Sequence, residues 1–167
     1  HRHYRRQRQM CIRDRYYEDP KRWGYTLQSY FLYRRYNDHM TEGDIILDRS
    51  IYGDIPFAEL LLKSGVMSEK EYDCYISHFK TLEPLIPPLD TLILLKIEPE
   101  KALERVKKRD RSFEVNLELQ YLKDLENEIN LIPSRLRPKT RVLEVDWGDM
   151  DEGQITERVK SIVKEVS

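Results

Sequence analysis

The sequence of 167 residues predicts an α/β fold built on a parallel sheet. Three short, apolar-rich segments, at 44–50, 91–97 and 141–146, have the length and composition of buried strands. Helical patterns separate them, as in a chain of βα units. With 40% hydrophobic residues, the chain is long enough for one core and too short for two ordinary ones, so we expect a single globular unit.

The first helix is predicted over residues 17–39. Pro20 stands where a first turn tolerates proline, and apolar and aromatic side chains recur after it at three- and four-residue steps. The segment DIILDRS, at 44–50, predicts a buried strand that ends in polar residues, and helical spacing follows directly over 55–62. Strand, charged turn and helix are the order of a βα unit.

The next helix is predicted from a capping box. Ser68 and Glu71 have the required spacing, and the helix should continue to near residue 85, before the two prolines at 87–88. The nearly continuous apolar run at 91–97 is typical of a strand whose sheet is covered by helices on both faces. The remaining predictions are helices from Pro99, over 117–132 and over 155–166, and a strand at 141–146.

The first fifteen residues show neither helical nor strand periodicity, and they contain six Arg and a single acid, Asp14. We interpret residues 1–15 as a non-native or disordered arginine-rich tail, left by cloning or sequence assembly, because RRQRQMCIRDR resembles translated sequencing-adapter text. On this interpretation the gene is cut upstream of Tyr16, and residues 16–167 form a partial domain. An arginine-rich arm that binds RNA is the alternative.

Composition narrows the classes of function. Without residues 1–15, the balance is 23 Lys and Arg against 29 Asp and Glu, which argues against nucleic-acid binding as the main role. The longest apolar runs are far shorter than the roughly 20 residues that span a bilayer, so we expect no membrane partner. Cys11 and Cys74 form no metal-ligand or disulfide pattern, and a reducing cytoplasmic location is predicted.

The first candidate cluster is Asp48-Arg49-Ser50, at the carboxyl end of a predicted strand. Open α/β sheets place ligand-binding residues at this position. An acid and an arginine there could face a substrate together. The alternative is an ion pair that caps the following helix.

The second candidate cluster has five cations within residues 105–111, at the end of the helix that begins at Pro99. Arg105 and Arg109 are four residues apart and share one helical face, so two guanidinium groups could hold one phosphoryl group. Phosphoryl transfer depends mainly on positioning and charge neutralisation, which arginines supply. The alternative is a solvated basic helix end that complements the helix dipole.

The third candidate constellation is Tyr17, Gln28 and Arg35 on the first helix. The amide of Gln28 offers a donor and an acceptor that match a nucleobase edge, and the hydroxyl of Tyr17 suits a sugar oxygen. A surface glutamine bonded to its neighbours is the alternative.

Together, YYEDPKRWGYTLQSYFLYRR (16–35), DRSIYGD (48–54) and ERVKKRDRSFE (104–114) resemble the deoxynucleoside kinase family, which includes deoxyguanosine, deoxyadenosine and deoxycytidine kinases. The resemblance extends from about residue 16 to about residue 151. It implies a P-loop kinase-like fold, three layers α/β/α around a parallel sheet, from which the N-terminal loop-bearing strand is missing. It also implies a homodimer, with the aromatic segment 23–36 contributing apolar surface.

The resemblance implies how an acceptor would be held. Gln28 would pair with the base edge, with Arg35 and Asp54 also beside the base. Tyr17 and Glu114 would hold the sugar 3′-hydroxyl. Purine deoxynucleosides or deoxycytidine are the implied acceptors.

The resemblance also implies the phosphate-handling residues. Arg49 would contact the 5′-oxygen and the transferring phosphate, and Asp48 would lie near Mg²⁺. The lid arginines Arg105, Arg109 and Arg111 would clamp the phosphates of ATP. Asp149 lies in the segment that would flank the donor adenine.

The sequence departs from the family in the phosphate-binding loop and in the residue that follows it. It contains no GxxxxGK[ST] motif, and its six glycines are scattered singly. The carboxylate general base that follows this motif in the family is also missing. We therefore predict that the chain as it stands binds nucleotide poorly and phosphorylates nothing.

The predicted parent protein transfers the γ-phosphate of ATP to the 5′-hydroxyl of a deoxynucleoside in nucleotide salvage. A thymidylate kinase-like nucleotide kinase is one alternative, although the helix motif with Trp23 and Gln28 speaks against it. An inactive nucleoside-binding fragment is the other.

Overall fold

The computed structural model describes residues 12–109, 117–148 and 150–166. Residue contacts divide the chain into two compact units, where a single unit was expected. The helical unit comprises the described residues up to Pro87 together with Asn127–Arg135. The sheet unit comprises the described residues of Pro88–Glu126 and those from Leu136 onward.

The elements follow the predicted order closely. Short 3₁₀ helices at Ile51–Asp54 and Glu83–Leu85 adjoin the longer helices. The strands are β1 (Thr91–Lys96) and β2 (Arg141–Asp146). The helices are α1 (12–18), α2 (Pro20–His39), α3 (Ile55–Lys63), α4 (Glu69–Leu82), α5 (Pro99–Arg109), α6 (Leu119–Asn130), α7 (Ile132–Arg135) and α8 (Glu152–Val166).

Side-chain caps explain where the long helices of the helical unit begin. The carboxylate of Asp19 accepts the backbone N–H of Arg22 at 3.1 Å, directly before Pro20 opens α2. The capping box of α4 is confirmed, because Ser68 Oγ accepts the N–H of Glu71 and the Glu71 carboxylate accepts the N–H of Ser68. Both starts are therefore set by local sequence.

Residues 12–15, expected to lack structure, are helical and belong to α1. The Asp19 N–H donates to the Arg15 carbonyl at 3.0 Å, and the Arg15 guanidinium lies 5.0 Å from the centroid of the Trp23 ring. This cation–π contact with α2 compensates for the weak local periodicity. The remainder of the predicted tail, residues 1–11, lies outside the described part of the chain.

The core of the helical unit forms where α2 packs against α3, α4 and the 3₁₀ helix Ile51–Asp54. Apolar side chains of α3 fill it together with Leu27 and Leu32 of α2, a helix that also buries the polar Gln28 and His39. The buried core side chains are Leu27, Leu32, Ile51, Tyr52, Ile55, Ala58, Leu60, Leu61, Met67 and Tyr75.

The sheet unit contains a parallel pair, β1 and β2, in register from Thr91 with Arg141 to Lys96 with Asp146. Leu94 of β1 is buried, whereas Ile93 and Leu95, which point to the opposite face, are exposed. In the described part of the chain, one face of β1 is therefore buried and the other is exposed.

The strand predicted at 44–50 is wrong, because this segment has no regular secondary structure. Ile45 and Ile46 are 39% and 81% exposed, and Gly43 before them adopts a left-handed φ of 89°. A strand is stable when its backbone pairs with a neighbour, and within the described residues the sheet consists of β1 and β2 alone. Two of the three predicted strands are formed.

No helix in the described ranges combines the length and the apolar character that crossing a bilayer requires.

Candidate functional site

Two predicted site residues, Arg35 and Asp54, meet in the helical unit, and a third, Gln28, is buried two turns from Arg35 on α2. Gln28 and Arg35 are two turns apart on one face of α2, and Asp54 ends the 3₁₀ helix that packs against α2. Arg35 Nε lies 3.5 Å from Asp54 Oδ2. Gln28 and Asp54 are only 5% and 2% exposed. We call these three residues the polar cluster.

The polar cluster has donors and acceptors that the described residues do not satisfy. Gln28 Oε1, Arg35 Nε and Asp54 Oδ2 are buried and have no hydrogen-bond partner in the described part of the chain. Ser50 Oγ, just before the 3₁₀ helix, is also buried and has no hydrogen-bond partner within the described residues. Because an unpaired buried polar group costs about 1–3 kcal/mol, such atoms are suited to pairing with a polar ligand.

Opposing effects act on the ionisation of Asp54. Burial raises the pKa of its carboxyl above the usual value, and the charge of Asp48 acts in the same direction. The positive charges of Arg35 and Arg49 lower that pKa. Asp54 therefore depends on these two arginines to carry a negative charge inside the protein.

The predicted catalytic pair, Asp48 and Arg49, is exposed and lies just before the 3₁₀ helix that carries Asp54. Arg49 has a φ of 70°, which non-glycine residues rarely adopt. Its guanidinium lies 4.4 Å from the centroid of the Phe57 ring. A Cβ at Gly53 would lie 3.2 Å from Arg49 Cβ, a close contact that glycine avoids in this strained turn.

Tyr17 differs from the polar cluster in its surroundings. It lies on α1, is 45% exposed, and places its ring edge-on against Tyr16 at a centroid distance of 5.4 Å. Its role on the sugar 3′-hydroxyl stays a prediction.

In the sheet unit, Arg105 holds a turn. Its Nη2 donates to the carbonyls of Trp147 and Gly148 at 2.9 and 3.1 Å. The same turn is tied by the Gly148 N–H to Asp146 Oδ1 at 2.9 Å and by the Trp147 N–H to the Lys96 carbonyl at 2.7 Å. Clamping a phosphate would require Arg105 to exchange these bonds, so that role stays a prediction.

The other predicted residues of the lid and donor site lie outside the described features. Arg109 ends α5, but its side chain is not described. Arg111, Glu114 and Asp149 fall outside the described residues altogether.

A cleft of about 520 Å³ opens at the carboxyl ends of β1 and β2. This is where parallel sheets place ligands. Its lining carries four carboxylates and two lysines, a charge balance poorly suited to a polyphosphate by itself. The lining residues are Lys96, Ile97, Glu98, Lys101, Glu126, Glu144, Asp146 and Gly148.

Two buried polar residues next to the polar cluster were not predicted. Tyr75 of α4 is fully buried, its hydroxyl has no partner within the described residues, and burial followed by the charge of Asp54 raises its pKa. His39, the last residue of α2, is also buried. A tyrosine on an amphipathic helix and a histidine at a helix end carry no distinctive sequence signal.

The fold has close counterparts among solved structures. A deoxyadenosine kinase from M. mycoides, with products dCMP and a flexible dCDP bound, matches with a TM-score of 0.76 at 22% identity. The match covers 91% of this chain and 78% of that one. The fold is therefore the P-loop kinase fold that the resemblance implied.

Residues 2–167 match the sequence profile of the deoxynucleoside kinase family. The chain therefore belongs to this family, as predicted. The match extends into residues 2–15, whose interpretation as a tail stays a prediction.

Two curated relatives illustrate the similarity. A deoxyadenosine kinase from Dictyostelium discoideum is 32% identical over 152 residues, which is 87% of this chain and 62% of the relative. A deoxyadenosine/deoxycytidine kinase from Bacillus subtilis is 34% identical over 119 residues, which is 67% of this chain and 55% of the relative. The chain thus spans less than two thirds of the length of either relative.

Proposed function

We propose that the chain carries the deoxynucleoside-binding part of a kinase that transfers the γ-phosphate of ATP to the 5′-hydroxyl of a purine deoxynucleoside or deoxycytidine. The observation that supports this proposal best is the polar cluster, in which Gln28, Arg35 and Asp54 each bury an atom that makes no hydrogen bond within the described residues. A ligand with a matching set of donors and acceptors would satisfy all three. A nucleobase edge is such a ligand.

The chemistry of the cluster favours some bases over others. Asp54 Oδ2 and Gln28 Oε1 are acceptors, so they suit an exocyclic amino group. Adenine and cytosine present such a group, whereas thymine presents a carbonyl oxygen and a methyl group. Arg35 supplies a donor for a ring nitrogen or a carbonyl oxygen. The cluster therefore supports acceptor bases with an exocyclic amino group, guanine included, and disfavours thymine.

The proposed phosphoryl transfer uses Asp48 and Arg49, which are exposed and close to the polar cluster in the chain. Mg²⁺ in kinases is held by one or two carboxylates together with substrate phosphates, and a single exposed carboxylate at Asp48 fits that arrangement. The described residues contain no group of three metal-binding side chains that would hold a metal without substrate. When bound, Mg²⁺ neutralises charge on the phosphate oxygens. Arg49 would neutralise charge on the transferring group.

We further infer the setting of the parent protein. Deoxynucleoside and ATP are its small-molecule partners, and we place it in cytoplasmic nucleotide salvage. We also infer a homodimer, for which α2 offers the 61%-exposed ring of Tyr33.

The test is a phosphoryl-transfer assay with ATP, Mg²⁺ and each of the four deoxynucleosides, with thymidylate as a fifth acceptor. It compares this chain with a version extended by its native upstream coding sequence. We expect activity in the extended version alone, with deoxyadenosine, deoxyguanosine or deoxycytidine as acceptor. Activity in neither version would contradict the kinase proposal, and phosphorylation of thymidylate would favour a nucleotide kinase. Activity in the short chain would disprove the argument from the missing glycine-rich loop.

A further inference from the structure

The 3₁₀ helix that carries Asp54 is capped in an unusual way. The first N–H groups of a helix have no partner within it, and the preceding residue commonly supplies one. Here the preceding residue, Ser50, makes no such bond with its side chain. Instead, the N–H of Ile51 donates to Nε2 of His39 at 3.1 Å, and this bond is buried.

This hydrogen bond joins the two elements that form the polar cluster. His39 ends α2, the helix of Gln28 and Arg35, and Ile51 begins the 3₁₀ helix of Asp54. Residues 40–50 between them contain no regular secondary structure, so the connecting chain constrains them weakly. The ion pair of Arg35 with Asp54 is a second tie, but its 3.5 Å contact forms no directed hydrogen bond.

The direction of the bond determines the protonation of His39. A backbone N–H can only donate, so Nε2 must accept, and the proton of the neutral imidazole must lie on Nδ1. An imidazolium carries protons on both nitrogens and cannot accept. Protonation of His39 is therefore incompatible with this cap.

We propose that His39 is a positioning residue of the acceptor site, whose neutral imidazole holds the start of the 3₁₀ helix and thereby places Asp54 and Arg49 relative to Gln28 and Arg35. His39 touches no substrate in this scheme; it acts through the backbone of Ile51. The proposal rests on the proposed function for the identity of the ligand. It predicts that deoxynucleoside affinity falls on acidification.

The surroundings of His39 support this role. Burial lowers its pKa most, the charge of Arg35 lowers it further, and Asp38 raises it. The 3₁₀ helix that His39 caps carries Asp54, which pairs with Arg35. Because the pKa in the folded state lies below the usual value of about 6.5, the cap is complete above that pH and is lost as pH falls through the folded-state value.

Two variants separate the acceptor at this position from the rest of the side chain. His39→Gln keeps an acceptor near the place of Nε2 and does not titrate, whereas His39→Met has similar length and only a thioether sulfur, a weak acceptor. Binding of deoxyadenosine to the chain and to both variants is measured by calorimetry between about pH 5.5 and about pH 8. Circular dichroism checks that each variant is folded at each pH.

For the unmodified chain, we expect affinity to decrease toward the acidic end of this range and to approach a loss of about tenfold only when His39 is fully protonated. His39→Gln should bind with nearly equal affinity across the range, close to the unmodified chain at high pH. His39→Met should bind about tenfold more weakly throughout. Equal pH dependence in His39→Gln and the unmodified chain, or full affinity in His39→Met, would overturn the proposal.

A second measurement distinguishes failure of this proposal from failure of the proposed function. If the unmodified chain binds no deoxynucleoside at any pH, the proposed function is wrong. In that case, the amide NMR signal of Ile51 tests whether His39 caps the 3₁₀ helix. A shift that titrates together with the His39 imidazole, and is absent in His39→Gln, supports the cap. An Ile51 signal that does not shift as His39 titrates overturns the proposed cap.

Discussion

Gln28 is a residue at which binding and folding should separate. Its buried Oε1 has no hydrogen-bond partner within the described residues, so Gln28→Leu removes an unsatisfied acceptor and no internal bond to it. We expect an unchanged or higher melting temperature and a loss of at least about tenfold in deoxynucleoside affinity. Calorimetric titration and thermal unfolding of the same sample give both values.

The matched control is Gln120→Leu. Gln120 is exposed on α6 and donates to Asp124 at 3.0 Å. Its replacement should leave affinity unchanged and alter stability by no more than about 0.5 kcal/mol. Undiminished affinity in Gln28→Leu would remove Gln28 from the acceptor site.

Asp54 should make the stability of the chain depend on pH. Burial raises its pKa in the folded state above 3.8, so its favourable contribution to stability is complete below about that pH and is lost as pH rises through the folded-state value. Asp54→Asn removes this loss. We expect the melting temperature of the variant, relative to the unmodified chain, to increase from acid to neutral pH.

Asp48→Asn is the control for this series, since Asp48 is exposed and the substitution should change stability little at any pH. A constant difference in melting temperature between Asp54→Asn and the unmodified chain would show that Asp54 is not penalised by burial.

At the scale of elements, Arg105 should stabilise the sheet unit by joining α5 to the turn after β2. Arg105→Met removes two hydrogen bonds from a charged donor to the carbonyls of Trp147 and Gly148. We expect a loss of about 2 kcal/mol in the free energy of unfolding, measured by urea denaturation. Lys107→Met, on the exposed side of the same helix, should lose less than about 0.5 kcal/mol. Equal losses would show that the hydrogen bonds of Arg105 do not stabilise the sheet unit.

The capping box of α4 offers a test of helix initiation. Ser68→Ala should cost about 1 kcal/mol at neutral pH. Hydrogen bonds from Ser68 lower the pKa of Glu71, so this contribution is present above the ordinary pKa of 4.5 and is lost as pH falls through the lower folded-state value. The cost of Ser68→Ala should therefore shrink in acid. Ser77→Ala, in the middle of the same helix, should show no such pH dependence.

Elements with local signals were predicted well from the sequence. The capping box located the start of α4, and the strand at 141–146 has the predicted bounds. The strand at 44–50 failed because a strand depends on a partner elsewhere in the chain. Gln28, Arg35 and Asp54 could be predicted from motif spacing. The hydrogen bond that His39 accepts from Ile51 could not be predicted in this way.

At the scale of the whole molecule, the exposed apolar surface should govern solubility. Leu95 of β1 is exposed, and exposed apolar strand surface promotes association. We expect Leu95→Lys to reduce concentration-dependent association in light scattering, while changing stability by no more than about 0.5 kcal/mol. Val145→Lys, which buries a charge in the same sheet, should instead unfold the sheet unit. Unchanged association in Leu95→Lys would exclude this surface as its cause.

Arg49 would respond differently to two kinds of laboratory evolution. Its φ of 70° costs a non-glycine residue about 1–2 kcal/mol, which Gly or Asn at this position would largely avoid. A library selected for thermal resistance alone should therefore replace Arg49 with Gly or Asn. A library of the proposed active kinase, selected for nucleotide production, should retain the arginine. The residue recovered at this single codon would report which property each selection had favoured.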